Sequence, residues 1–406
     1  MATEQLPAAH DREESDFTGQ KRDTVVIVGA GQNTAHMGDS IARLSLEHPL
    51  HVFEVSQPLI DVNTDRLHMT NTEEGHRSAE ALLGSRAVHA VYLSVIPLLH
   101  KPLLDKYLGH AGENEIDFVV LPKPFAQNVQ ELRDMRSMLR AAIARRQEID
   151  PGYNPEASPM LFIHEHYKEK GAWHELRERL NQVTSRLGRL ESVDIDIQEA
   201  RTAEDEGRVA AFQGGALEDL GPHVISLGLD VQSSINTTDR YAIPNRSTTT
   251  VERFRYEDSE LPEGIETSFI VHGQTAIVDQ ERGESHSIDF TWRGGKGLVN
   301  KKDATLTFIH PDTGERSTIV VDLRANTLAI PDAVRDLFPI TEFDDNGYGY
   351  SVESGLNGGD PHQSFQHIDE AAIVTKWQQA LRNQGSKQAP IIHRRGSELR
   401  QLANAA

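Results

Sequence analysis

Cysteine is absent from all 406 residues, which excludes disulfides, thiolate nucleophiles and cysteine zinc sites. Long apolar runs are also missing. No window approaches the unbroken length a membrane helix needs, and the amino-terminal MATEQLPAAHDREESDFTGQKRD lacks the apolar stretch of a signal peptide. A cytoplasmic protein with no membrane partner is therefore expected. Basic residues are in deficit, 41 against 62 acidic ones, for a formal net charge of -21. Such a surface repels nucleic-acid phosphates at long range, although a local basic pocket can still capture a small anion. No nucleic-acid partner is expected. A hydrophobic fraction of 37% and a charged fraction of 25% suit a soluble globular protein, and the length suits two domains.

Residues 1–22 are polar and without apolar periodicity, and read as a flexible tail. From Asp23 the grammar is α/β. TVVIVGAG is a continuous β-branched run ending in glycines, as a parallel strand covered on both faces requires. The segment after it carries Met37, Ile41 and Leu44 at amphipathic helical spacing and closes at Pro49. LHVFEV, AVHAVYLSV and DFVVL repeat the strand pattern, with KPLLDKYLG and NVQELRDMRSMLRAAIARRQEI as intervening helices and MLFIHEHY as the last strand. This alternation predicts a doubly wound Rossmann domain over 23–165. Beyond Gly171 the strands alternate apolar and polar: SVDIDIQEA, TVERFRY, IETSFIV, HSIDFTW, ATLTFIH and RSTIVVDL. They predict a large, mainly antiparallel sheet in an α+β domain over 166–406. Helices around 216–229 and 368–381 would cover it.

Gly29, Gly31 and Thr34 occupy the positions of a GxGxxG fingerprint, where glycines allow a tight turn and close approach of a pyrophosphate to the helix start. A strand–helix turn without ligand is the bland alternative. Glu54 ends the second strand, where a carboxylate can bond adenine-ribose hydroxyls and repel a 2′-phosphate, favouring NAD over NADP. A solvated surface glutamate would look the same. Lys123, in LPKPF at the end of DFVVL, can align a substrate hydroxyl with the nicotinamide. His223 follows Asp219 by four residues in GGALEDLGPHVISL, and an imidazole can accept the hydroxyl proton as hydride leaves carbon. In HEHYKEK, Glu165 could orient His223, while His166, Tyr167 and Lys170 could donate to a phosphate. If MLFIHEHY is a strand, Glu165 and Tyr167 share one face and His166 the other, so convergence requires a bend near Tyr167. A metal held by His164 and His166 lacks a third ligand at any neighbouring spacing, and no metal is expected.

In the order of these motifs the chain resembles the glucose-6-phosphate dehydrogenase family, within the wider Gfo/Idh/MocA sugar oxidoreductases. YLSVIPLLHKPLLDKYLG is similar to the family's YLxxPP segment, LPKPFAQNVQEL to EKPFG, and HEHYKEK to DHYLGK. EARTAEDEGRVAAFQGGALEDLGPHVISL is similar to the stretch ending in GALRDMVQNHLLQ, FTWRGGKGLVNKKDATLTF to the RTGK segment, and GGDPHQSFQHIDEAAIVTKW to GDxxxFxxxDExxxxW. Pro122 stands where the family has glutamate, Glu165 where it has aspartate, and the Asp219–His223 interval is one residue shorter, as in the DxGxH pattern of the wider group.

The resemblance implies an NAD(P)-dependent enzyme of the pentose phosphate pathway, oxidising the C1 hydroxyl of glucose 6-phosphate to a lactone. His223 would be the base, supported by Glu165, with Lys123 against substrate and nicotinamide. His166, Tyr167 and Lys170 would hold the phosphate, Asp219 and Lys296 would be further sugar contacts, and Pro97 would touch the cofactor. A homodimer through the sheet domain, or a homotetramer, is implied as well. The alternatives are a dehydrogenase of another sugar, nucleotide sugar or cyclitol using the same base, and a catalytically silent regulatory relative.

Overall fold

A computed structural model describes residues 22–29, 49–54, 67–168, 170–200, 215–235, 246–252, 268–279, 284–297, 300–343, 373–376 and 378–381. The expected tail up to residue 21 and the helix carrying Met37, Ile41 and Leu44 lie outside these residues. Arg22, read as the end of the tail, is anchored: its guanidinium donates to Asp117 at 2.6 Å and to the Asn114 carbonyl at 2.8 Å.

Six strands form the first sheet: β1 (Thr24–Val28), β2 (Leu50–Glu54), β3 (Leu67–Met69), β4 (Val88–Leu93), β5 (Ile116–Pro122) and β6 (Leu161–His164). They lie in the order β3-β2-β1-β4-β5-β6 with every neighbouring pair parallel. This is the doubly wound arrangement, whose strand order reverses between β1 and β4. The β1 run is uniformly apolar because successive side chains enter two different cores. Val26 and Val28 pack in one cluster and Val25 and Ile27 in the other.

Among the described residues three helices accompany this sheet: α1 (Glu73–Gly84), α2 (His100–Gly112) and α3 (Val129–Ile149). Local chemistry fixes where α3 begins. Asn128 Oδ1 accepts the Glu131 backbone N–H at 2.9 Å, and the Glu131 carboxylate reaches back to the Gln127 N–H at 2.6 Å, satisfying amides that the first turn leaves without partners.

A second sheet contains β7 (Arg189–Ala200), β8 (Arg246–Glu252), β9 (Ser268–Asp279), β10 (Glu284–Gly297), β11 (Lys301–Ile309), β12 (Arg316–Asp322) and β13 (Thr327–Ala329). Its order is β13-β12-β11-β7-β10-β9-β8, and only the β7–β10 pair is parallel. Helices α4 (Gly171–Leu187) and α5 (Gly221–Ile235) supply buried side chains to its core. Alternate residues Val193, Ile195 and Ile197, then Ile288, Phe290 and Trp292, then Ala304, Leu306 and Phe308, are buried, which is the period-two pattern of a sheet with one covered face.

Sequence patterning misplaced several boundaries. The strand expected at TVERFRY begins earlier, at Arg246, and β3 and β13 were not anticipated because three-residue strands carry too little periodicity. The expected strand MLFIHEHY stops at His164, and residues 166–168 form a turn. The helix foreseen around 216–229 is broken into a short turn at Ala216–Asp219 followed by α5. Of the last helix, residues 373–376 and 378–381 are described and helical.

Candidate active site

The carboxyl ends of β1, β4 and β5 meet at one edge of the first sheet. Gly29 follows β1 with φ of 87°, its N–H donating to the Phe53 carbonyl at 2.9 Å. A Cβ on this residue would lie 2.6 Å from the Ser94 carbonyl oxygen, so backbone packs against backbone where the strand order reverses. Only glycine meets both demands at no cost. Gly31 and Thr34 lie outside the described residues. Glu54 ends β2 and is buried rather than solvated. Pro97 is buried at the start of a turn after β4 whose Leu98 and Leu99 are exposed.

His100, which opens α2, ties this edge together. Its Nδ1 is 3.0 Å from the Pro124 carbonyl and its Nε2 3.2 Å from the Val95 carbonyl, so one imidazole spans the loops after β4 and β5. Burial pushes its pKa down to about 4. Nothing in the local sequence pattern singled this residue out.

Lys123, one residue past β5, reaches across to the second domain. Its ammonium donates to Asp219 twice, to Oδ1 at 2.6 Å and to the backbone carbonyl at 2.6 Å. Asp219 and His223, four residues apart, do not lie on one unbroken helix. Instead the chain turns at Leu220 before α5 begins, and the two side chains serve different partners, Asp219 holding Lys123 and His223 meeting Glu165.

That meeting is the centre of the site. His223 Nδ1 and Glu165 Oε1 form a short hydrogen bond between two fully buried side chains. The same carboxylate oxygen accepts the Tyr167 backbone N–H at 3.3 Å. Because a carboxylate only accepts, Nδ1 carries the proton and Nε2 keeps its lone pair. Burial holds the His223 pKa below its ordinary value, Lys123 adding to the effect and Glu165 opposing it. For Glu165 burial acts upward, but the His223 imidazole, its hydrogen bond and Lys123 outweigh it, and the carboxyl lies below its usual range.

The two-face constraint expected of a strand does not apply here, because β6 ends at His164 and the chain turns immediately after. Glu165, His166 and Tyr167 therefore all approach His223. Ring centroids lie 4.6 Å apart for His166 and His223, and 4.6 Å for Tyr167 and His223. His166 is held neutral, its pKa driven well below the ordinary value by burial first and by His223 and Lys123 next. His164 points elsewhere, with Nδ1 2.7 Å from the Tyr92 hydroxyl, so it does not pair with His166 over a metal. The group offering ligand atoms within 4.8 Å of one another is instead Glu165, His166 and His223.

Lys170 is buried at the start of α4. Between it and Tyr167 lies Lys168, whose ammonium is 2.6 Å from Asp230 Oδ1. Asp230 Oδ2 also accepts the Trp173 indole N–H at 3.1 Å. This buried pair fastens the 165–170 turn to α5. Lys296 lies on β10 opposite Glu199 of β7 in the ladder. A cation that sequence reasoning passed over, Lys302, stands 5.5 Å above the centroid of the Tyr167 ring. Its signal was available: Lys302 shares the parity of buried Ala304, Leu306 and Phe308 on β11.

The geometry defines a two-domain α/β fold with a buried imidazole–carboxylate pair where the domains meet. Solved oxidoreductases share this fold at low sequence identity. The WlbA dehydrogenase from Bordetella pertussis, solved with NADH and UDP-GlcNAcA, is 13% identical over 90% of this chain and 97% of its own, with a TM-score of 0.56. An inositol dehydrogenase homolog from Azotobacter vinelandii, solved with NAD+, is 13% identical over 91% of this chain and 96% of its own, with a TM-score of 0.57. Biliverdin reductase from Synechocystis, solved with biliverdin and NADP+, is 15% identical over 90% of this chain and 100% of its own, with a TM-score of 0.54. No protein-family profile and no curated protein matches the chain. Among the described residues no helix is long and apolar enough to cross a membrane.

Proposed function

We propose that this protein is a nicotinamide-dependent oxidoreductase acting on a hydroxyl of a sugar, nucleotide sugar or cyclitol. The observation that carries the reading is the buried His223–Glu165 pair beside Lys123, at the carboxyl edge of a β3-β2-β1-β4-β5-β6 sheet. Gly29 fits the first position of a dinucleotide turn, since its positive φ and its contact with the Ser94 carbonyl admit no side chain where β1 ends. Glu54, buried at the end of β2, is the candidate for the ribose hydroxyls and favours NAD; Pro97 would touch the same cofactor. When bound, the nicotinamide supplies the hydride acceptor. His223 Nε2 takes the hydroxyl proton, and Glu165 stabilises the imidazolium that forms. Lys123, held by Asp219, is placed to polarise the hydroxyl. No step in this reading uses a metal, because the hydrogen-bonded Glu165–His223 pair supplies the proton acceptor.

The likeness to WlbA dehydrogenase and the inositol dehydrogenase homolog supports this broad reading. The likeness to biliverdin reductase warns that one fold accepts unrelated substrates. Oxidation of glucose 6-phosphate, with His166, Tyr167 and Lys170 on the phosphate and Lys296 on the sugar, is one member of this class and is not singled out by any solved structure reported above. A panel of free sugars, phosphorylated sugars, nucleotide sugars and cyclitols, assayed with NAD and NADP, distinguishes the members. In His223→Ala, turnover should fall about 10²- to 10⁴-fold while cofactor affinity changes little. Unchanged turnover would remove the mechanism, and failure of the wild type to bind either cofactor would favour a silent regulatory protein.

A further inference from the structure

The second sheet ends in charge where it reaches the site. On β7 the covered-face series Val193, Ile195 and Ile197 is followed at the same parity by Glu199, and on β11 the series Phe308, Leu306 and Ala304 ends in Lys302. Lys302 pairs with Ile197 in the ladder, which places it on the same face as that buried stripe. Its ammonium lies 3.4 Å from Glu199 Oε1 and 5.5 Å from the centroid of the Tyr167 ring. Tyr167 in turn packs against His223 and His166, their ring centroids 4.6 Å and 4.0 Å away.

Two ion pairs thus border the buried base. Lys123 with Asp219 comes from the first-domain side and Lys302 with Glu199 from the sheet, and the side chains of both pairs retain solvent contact, 17% and 36% for the first and 21% and 34% for the second. Between them the dyad is buried, its side chains 1% and 2% exposed. A lysine in a core register is costly unless its head group has polar company, and this one stops where the apolar stripe ends. The pair with Glu199 is open and long for a charge-assisted bond, so an incoming anion can take the ammonium at small cost.

We infer that Lys302 is a specificity-determining residue: it receives an anionic substituent of the substrate, a phosphomonoester or a carboxylate, over the Tyr167 ring, with Glu199 as the counterion displaced. This rests on the proposed sugar site but assigns the selection to the sheet rather than to the 165–170 turn.

The test reads equilibrium binding by calorimetry in the presence of saturating NADH, with glucose, glucose 6-phosphate and glucuronate as probes. The wild type should prefer one of the two anionic sugars over glucose, and which one it prefers separates phosphate from carboxylate. Lys302→Met should shrink that preference about tenfold, Lys302→Arg should keep most of it, and Glu199→Gln, by removing the competing carboxylate, should enlarge it. The opposite sign in Glu199→Gln keeps the inference testable if the methionine variant folds poorly. No preference in the wild type, or the same preference in all variants, overturns it. Hydride transfer is followed separately by cofactor absorbance. Selective binding by these probes with no turnover of any member of the wider sugar, nucleotide-sugar and cyclitol panel would defeat the dehydrogenase reading and leave this inference standing.

Discussion

The two sheets solve burial differently, and the difference decides where chemistry can sit. The first is covered on both faces, so its central strands are largely apolar, and the candidate site draws on their carboxyl ends, at Gly29, Ser94 and Lys123. The second has one covered face, so function enters by parity. The stripes that build the core on β7 and β11 turn polar at Glu199 and Lys302 without any break in the strand. The first sheet presents loop ends and the second presents strand positions, and His223 and Glu165 meet between them.

The largest test of that division is the pair itself. Glu165→Gln removes the anion that opposes burial at His223. The imidazolium loses its support in the transition state, and turnover should fall by about 10²-fold. The pKa of His223 should fall as well, so the acid limb of the pH–rate profile of the surviving activity should move to lower pH. A shift to higher pH would mean that Glu165 does not act on His223 through its charge.

Two glycines sharpen the comparison. At Gly29 an alanine methyl would sit 2.6 Å from the Ser94 oxygen in a backbone with φ of 87°, a strain of about 1–3 kcal/mol placed on the proposed cofactor turn. At Gly228 on α5 the methyl would enter the Trp292 indole, overfilling the second core at a cost of about 1–3 kcal/mol. Gly29→Ala should therefore weaken NADH binding in a fluorescence titration, whereas Gly228→Ala should lower the melting temperature and leave NADH affinity alone. Equal effects on both measurements in both variants would erase the distinction between an end-loop site and a packed face.

Much of this was legible in the sequence because periodicity reports burial. The continuous run of β1 announced a doubly covered strand, and alternation in RSTIVVDL announced a half-covered one. The bend that convergence required near Tyr167 is the turn at 166–168. Where the strand ends was not legible, since period two extends a strand until something stops it, and β6 stops at His164 with no glycine or proline to mark the place. Lys302 was missed for a different one. A lysine at a buried parity looks like a strand terminus until its neighbours are known to include Tyr167 and Glu199. His100 carries no pattern at all, because its partners are backbone carbonyls contributed by two loops.

The smallest expected effect concerns acid. His100 and His164 are both fully buried in the first domain, and burial pushes each pKa from the ordinary 6.5 to about 4. An unfolded chain regains the ordinary value, so it binds these protons first as pH falls. Stability that is complete above pH 6.5 is then lost through the window between 6.5 and about 4. Between pH 6.5 and 5.5 each histidine should cost about 1 kcal/mol. The strands of the second sheet are less exposed to this loss: His272 on β9 is solvent-facing, and the histidines that burial holds down on that side, His166, His174 and His223, lie in the turn after β6 and on α4 and α5. Hydrogen exchange, corrected for its intrinsic pH dependence, should therefore show β6 and α2 loosening at pH 5.5 before β11 and β12. His164→Gln should reduce the acid-dependent loss in that region without abolishing it, because it deletes one titrating ring and leaves His100 and His166, which burial also holds down. If the strands of both sheets loosen together, the domains unfold as one unit, and the contrast between them is one of composition rather than of separate stability.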